Sequence, residues 1–182
     1  MRVFVLNTGR CGSVTFANAC GELTDFAVGH ESRAHLAGDD RLDFPERHIE
    51  VDNRLSWFLG ELDERYGDEP LYVHLRRDPE QVARSFARRW DSGDPAGVIT
   101  AFAGALVKRR TPWPQEQRLE VCRYYVRTVT ANIETFLADK PRQMTVWLDE
   151  ADEWFPLFWE RLGGKGDFDA ALKHFEVRHN AS

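Results

Sequence analysis

Four short apolar runs punctuate the chain, and much of what lies between them carries hydrophobic residues at helical spacing. Val3-Phe4-Val5-Leu6 is unbroken and rich in branched and aromatic side chains, the pattern of a strand buried on both faces. Polar Asn7-Thr8-Gly9-Arg10-Cys11-Gly12-Ser13 follows as a turn with two glycines, and Val14 to Leu23 then reads as a helix closing near Gly21. Phe26-Ala27-Val28 predicts a second strand running into Gly29-His30-Glu31-Ser32. Arg54 to Tyr66 has helical spacing, with Leu55, Phe58, Leu59 and Leu62 on one side. Leu71 to Leu75 predicts a third strand, ending at Arg76-Arg77-Asp78-Pro79. Asp78 suits the cap and Pro79 the first turn of a helix that runs to about Trp90. Val98 to Lys108 and Gln117 to Leu137 read as helices on either side of Thr111-Pro112-Trp113-Pro114. Met144 to Leu148 predicts a fourth strand, and Glu153 to Leu162 a helix closed by Gly163-Gly164.

Strands alternating with helices imply an α/β fold of three layers: a mainly parallel sheet flanked by helices on both faces. The 182 residues suit one domain, 1–182, with a real core. In such sheets ligands bind beyond the carboxyl ends of the strands. The glycine turn, His30-Glu31 and Arg76-Arg77 all fall there.

Charge narrows the choice of partner. The formal net charge is −6, which excludes a surface attracting nucleic acid as a whole and leaves room for a small anion held by a local cluster of donors. Three cysteines, Cys11, Cys20 and Cys122, match no zinc spacing and are too few for a disulfide scaffold, so reduced thiols in a cytoplasm are expected. No apolar run has the length of a membrane span. His35, His48 and His74 are scattered, with no metal-ligand spacing, and are expected to be structural.

Two segments carry anion-binding chemistry. A strand, a glycine turn and a helix start together present unpaired N–H groups and the positive end of a dipole. Arg10, Ser13 and Thr15 add a charge and two hydroxyls there. The alternative is an ordinary strand–helix turn. It is not a Walker loop, because Ser13 rather than lysine follows Gly12. Further on, Arg77 and Ser85 stand eight residues apart across a turn and about two helical turns. Arginine forks around phosphate oxygens and a serine hydroxyl can complete the cage. The alternative is a solvated Arg-Asp pair at a helix start. Arg84, Arg88 and Arg89 read most simply as a solvated helix face.

In combination these segments resemble the sulfotransferase family that uses 3′-phosphoadenosine 5′-phosphosulfate (PAPS). Thr8 to Phe16 is similar to its 5′-phosphosulfate loop, and Arg77 to Ser85 to its 3′-phosphate motif. Gly29-His30-Glu31-Ser32-Arg33 resembles the Gly-Glu-Glu-Thr-Arg stretch of the tyrosylprotein branch. Val146 to Gly164 is similar to the family's late strand, acidic turn and helix, and Arg161 to Phe168 faintly echoes a C-terminal loop of cytosolic members. Two positions depart from the usual pattern: Arg10 where many members have lysine, and Cys11 where serine is commoner.

The resemblance implies a P-loop-like sulfotransferase domain that needs PAPS and no metal. It implies that the backbone of Cys11, Gly12, Ser13, Val14 and Thr15, with the hydroxyls of Ser13 and Thr15 and the adjacent charge of Arg10, holds the 5′-phosphosulfate. Arg77 and Ser85 would hold the 3′-phosphate in a second, separate electropositive pocket. Arg10 would neutralise charge at the transferring group, and Glu31 would take the proton of an acceptor hydroxyl or amine. His30 is the rival base, since imidazole is well matched to neutral pH. The acceptor is a small molecule, saccharide or peptide, and a homo-oligomer is compatible with the short chain. Arg123 and Arg127 share a helical face that either borders the acceptor or is solvated. Arg33 either meets an acidic acceptor or pairs with a nearby Asp, and Trp113 is a candidate lid. Two other classes compete: a P-loop-type kinase for a nucleotide or small molecule, and a non-catalytic nucleotide-binding protein.

Overall fold

The structure is a computed structural model and describes residues 1–92 and 97–176. Five strands form one parallel sheet: β1 (Val3–Leu6), β2 (Ala27–His30), β3 (His48–Val51), β4 (Leu71–Arg76) and β5 (Gln143–Trp147), in the order β2-β3-β1-β4-β5. Seven helices connect or follow them: α1 (Ser13–Cys20), α2 (Leu59–Tyr66), α3 (Pro79–Arg88), α4 (Val98–Ala101), α5 (Gln115–Leu137), α6 (Ala151–Leu162) and α7 (Phe168–Glu176). The expected α/β class holds. From β1 the chain steps one way along the sheet, and from β4 it steps the other. Right-handed crossovers therefore put α1 and α3–α5 on opposite faces. The reversal leaves a crevice between the turns that follow β1 and β4, where α/β sheets bind ligands.

Sequence patterning missed one strand. His48-Ile49-Glu50-Val51 is wholly buried and lies between β1 and β2. Two of its four residues are ionisable, so it has no apolar signature. Much of their polarity is met internally, while His48 Nδ1 is buried with no hydrogen-bond partner among the described residues. Glu50 accepts hydrogen bonds from His48 Nε2 (2.8 Å), Ser32 N (2.7 Å) and Ser32 Oγ (2.6 Å). Burial alone would push this carboxyl up, but the bonds from His48 and Ser32 outweigh it and hold the group below its ordinary value.

One layer is an aromatic cluster. Phe16 of α1 stacks on Trp154 and meets Phe158 edge-on, while Phe155 meets Phe168 and Phe175 of α7. Burying Phe16 fully contributes about 1.5–3 kcal/mol. The last helix lies against α1, and a single antiparallel bridge joins Leu23 to Gly166. Lys165 O accepts from Thr24 N (2.8 Å), and a Cβ on Gly166 would collide with Glu22 O. The 163–166 loop thus sits at the carboxyl end of α1, opposite the glycine turn.

On the other face Phe86 of α3 and Phe102 meet Tyr125 of α5 edge-on. Trp113 is pinned, not lid-like: its Nε1 donates to Ala103 O (2.9 Å) and Arg109 lies over its ring. Arg33 also serves the fold, donating to Asp40 O (2.8 Å) with its guanidinium over Phe44.

His74 on β4 is buried, and burial, aided by the nearby Arg76 cation, pushes its pKa down to about 4. The unfolded chain takes up that proton near the ordinary value of about 6.5. Stability from this site is therefore complete above about pH 6.5 and falls as pH drops toward 4. About 2 kcal/mol should go between pH 7.5 and pH 5. Urea unfolding of the wild type and of His74→Leu at both pH values measures it. An equal acid loss in the two chains would show that another group is responsible.

Candidate active site

The turn after β1 has three left-handed residues: Gly9 (φ 78°), Arg10 (φ 59°) and Gly12 (φ 89°). Glycine is required at both of its positions. A Cβ at Gly9 would come within 2.8 Å of Asn53 Nδ2, and one at Gly12 within 2.5 Å of Leu148 Cδ1. Left-handed residues in a tight turn curl backbone N–H groups into a concave nest. Helix α1 continues it. The helix has no side-chain cap, and Phe16 N donates to Gly12 O (2.9 Å) at its start. The N–H groups of Ser13, Val14 and Thr15 are left as the helix's orphan donors.

The turn is braced from behind. Asn7 Oδ1 accepts from Gly9 N (2.8 Å), Tyr125 OH donates to Thr8 O (2.9 Å), and Ser56 Oγ donates to Asn7 O (3.2 Å). Cys11 points inward, its Sγ 3.4 Å from Asn7 Oδ1, and burial pushes its thiol up to about 12. It supplies backbone and packing rather than a nucleophile.

Arg10 reaches across the crevice, and its Nε donates to Ser85 Oγ on α3 (3.1 Å). Burial, and then the cations Arg89, Arg88 and Arg77, hold its guanidinium below the ordinary arginine value. Arg77 leaves β4 with one amino group donating to Gln81 Oε1 (2.8 Å). Its Nε is buried without a hydrogen-bond partner among the described residues. The turn after β1 and the Arg77–Ser85 segment are thus in contact through Arg10 and Ser85. Arg84 fits the solvated-face reading, paired with Glu80 at 2.8 Å. Arg88 is likewise exposed, and Arg89 is half-buried.

Beyond β2 the chain turns at Glu31, again left-handed (φ 51°). Strand alternation therefore ends at His30, and the two candidate bases diverge. His30 Nε2 shares a hydrogen bond with Ser13 Oγ (3.1 Å), while Glu31 pairs with Arg54 (2.6 Å). Arg54 N in turn donates to Asp52 Oδ1 (2.8 Å), and buried Asp52 pairs with Arg41 (2.5 Å). Burial pushes the Asp52 carboxyl up despite that partner. The bend carrying Glu31 is clamped by Glu50 through Ser32. Gly29 has to be glycine, since a Cβ there would run into Glu50 Oε2.

Two open spaces adjoin the cleft. A groove of about 420 Å³ lies along α1 and β2, lined by Asn18, Glu22, Val28, His30 and His174. A cavity of about 500 Å³ between α3 and α5 is bordered by Arg76, Arg123 and Arg127. Arg123 is engaged by Glu80 through two 2.8 Å bonds, and Arg127 lies over Tyr124. Among the described residues no group of three or more His, Cys, Asp or Glu could hold a metal ion, and no helix is long and apolar enough to cross a membrane.

Asn53, Arg54 and Tyr125 belong to the site's frame and carry no sequence motif.

No family model and no curated protein matches the sequence. Among solved structures, mouse sulfotransferase SULT7A1 complexed with PAP superposes with a TM-score of 0.62 at 12% identity. The match covers 96% of this chain and 63% of that one, so this chain spans less than two thirds of the neighbour. The likeness establishes that the five-stranded sheet and its helices have a sulfotransferase-type α/β fold.

Proposed function

We propose that residues 1–182 form one domain that transfers a sulfuryl group from PAPS to an acceptor hydroxyl or amine, releasing 3′-phosphoadenosine 5′-phosphate (PAP). The carrying observation is the basic crevice at the sheet's reversal. There Arg10, Ser85, Arg77 and the bare start of α1 converge around space shaped by Gly9 and Gly12. The fit is chemical as well as geometric: a buried, unpartnered arginine nitrogen and a row of orphan N–H groups suit a ligand anionic at both ends. That the fold neighbour was crystallised with PAP supports the reading.

In this proposal the N–H groups of residues 11–15, with the hydroxyls of Ser13 and Thr15, hold the 5′-phosphosulfate. Arg77 and Ser85 hold the 3′-phosphate. The acceptor oxygen or nitrogen forms its bond to sulfur as the sulfur–oxygen bond to phosphate breaks, and the electron pair leaves on the phosphate oxygen. Arg10 neutralises charge there, as cations do in phosphoryl transfer. Glu31, oriented by Arg54, accepts the proton. His30 orients the Ser13 hydroxyl. The positive charge comes from arginines and backbone dipoles, without a metal. The acceptor, whether small molecule, saccharide or peptide, enters beside Glu31. Three unpaired thiols suit a reducing cytoplasm.

Calorimetry of the full chain with PAP and with ATP tests the donor, and radiolabelled PAPS with an acceptor panel tests transfer. PAP should bind at least tenfold more tightly than ATP. Tighter binding of ATP would favour a kinase. PAP binding without transfer to any acceptor would favour a non-catalytic nucleotide-binding protein.

A further inference from the structure

The bend that carries Glu31 is held by buried charge, in a place where an apolar strand would serve the fold as well. Strand β2 pairs with β3 as far as His30 opposite Val51, and Glu31 N donates to Val51 O (3.1 Å) as the last rung. The next N–H, that of Ser32, is taken by a side chain instead. Glu50 Oε1 accepts it (2.7 Å), while Glu50 Oε2 accepts from Ser32 Oγ (2.6 Å) and His48 Nε2 (2.8 Å). Glu50 is fully buried, and its cross-strand neighbour is Gly29. A Cβ on Gly29 would collide with Glu50 Oε2 and stand 2.7 Å from Ser32 Oγ, so the glycine opens the path between them. Burying a carboxylate is costly, and apolar residues of similar size often fill such a place with no loss of stability. What Glu50 does that they could not is fix a backbone. Glu31 is left-handed (φ 51°), a conformation that a residue with a Cβ keeps only when its surroundings enforce it, and such positions concentrate at functional sites. Arg54 meets the Glu31 carboxylate itself (2.6 Å). One residue thus aims the side chain of Glu31 and another its backbone.

We propose that Glu50 is a positioning residue for the reaction: through Ser32 it locks the left-handed bend that presents the Glu31 carboxylate to the acceptor. The inference rests on Glu31 being the base in the function proposed above, and it adds a residue from a strand without any motif. Fully buried, Glu50 is out of reach of donor and acceptor. It acts on how often Glu31 stands within reach of the proton, and a misplacement of about 1 Å at a reacting group costs about a hundredfold in rate. The donor nest is built by a different turn, so PAP binding should not depend on Glu50.

Three measurements on the full chain test it: single-turnover transfer of label from PAPS to the fastest acceptor of the panel, calorimetry with PAP, and amide hydrogen exchange across residues 31–34. Glu50→Ala should slow transfer about tenfold to a hundredfold, speed exchange at the Ser32 amide and leave PAP affinity within about twofold. Glu50→Gln keeps the shape and an oxygen for Ser32 N, and should recover much of the rate. In E31A/E50A the second change should cost nothing further, because Glu50 acts only through Glu31. Equal losses of rate and PAP affinity, or a full E50A loss on top of E31A, would mean a merely structural role and overturn the proposal. Should Glu50→Ala fail to fold, Ser32→Ala decides. It should slow transfer at least about fivefold, and a rate close to that of the wild type overturns the proposal. An E31A enzyme with near-normal turnover overturns the base reading itself, whereas a slow E31A beside a normal E50A overturns Glu50 alone.

Discussion

Arg10→Ala is expected to slow sulfuryl transfer about a thousandfold without lowering the melting temperature. Removing a single preorganised charge that meets developing negative charge costs about two to three orders of magnitude, and arginines that serve transferring phosphoryl groups supply at least as much. Folding should respond differently. Arg10 is held among Arg77, Arg88 and Arg89, and burial compounds the cost of its charge. Its backbone is left-handed, which disfavours any residue with a Cβ. Alanine keeps the backbone cost, removes the repulsion and gives up the bond to Ser85, so stability should stay close to that of the wild type. Loss of activity without loss of stability is the signature of a residue kept for chemistry. Arg10→Lys should restore part of the rate, because the charge remains and only the fork is lost. Single-turnover transfer of label from PAPS, alongside thermal unfolding of each variant, measures both. An alanine variant within tenfold of wild-type turnover would remove Arg10 from the mechanism.

Gly12→Ala should be the most damaging small substitution in the turn. Its φ of 89° penalises a Cβ by about 1–2 kcal/mol. The added carbon would also lie 2.5 Å from Leu148 Cδ1, and overpacking of this kind costs about 1–3 kcal/mol. The sum, about 2–5 kcal/mol, is a large share of a typical domain's stability of about 5–15 kcal/mol. The turn itself should also distort, so PAP affinity should fall together with the urea midpoint. Combining it with Leu148→Ala separates the causes. The double variant should recover the steric part and leave the backbone part, giving an interaction energy well outside error. Additive effects would mean that Leu148 does not press on the turn.

What the sequence revealed follows from how each element meets its polar groups. β1 and β4 are apolar runs, so their strands, and the turns that end them, were legible from pattern alone. Asp78 caps α3 through Gln81 N (2.8 Å), with Pro79 next, as expected. The strand of His48 to Val51 was hidden because its two ionisable side chains are bonded to one another and to Ser32, a partner distant in sequence. Burial of that kind leaves no periodic trace. The same strand explains why Glu31 was only half understood. Its bend is held by Glu50 and its carboxylate by Arg54, both from a segment without any motif. What could not be read was that Arg10 crosses from the first turn to meet Ser85 on α3.

The bridge between Leu23 and Gly166 gives the far end of the chain a share in the chemistry. Helix α1 is only two turns long, and a rod so short pivots easily if one tip is loose. In the proposed function its leading tip would have to hold still against a charged ligand, with that steadiness borrowed from an anchor at its trailing tip. Residues 163–176 thus serve as a keel for the cleft: cutting them away should blur anion recognition at a point they never touch.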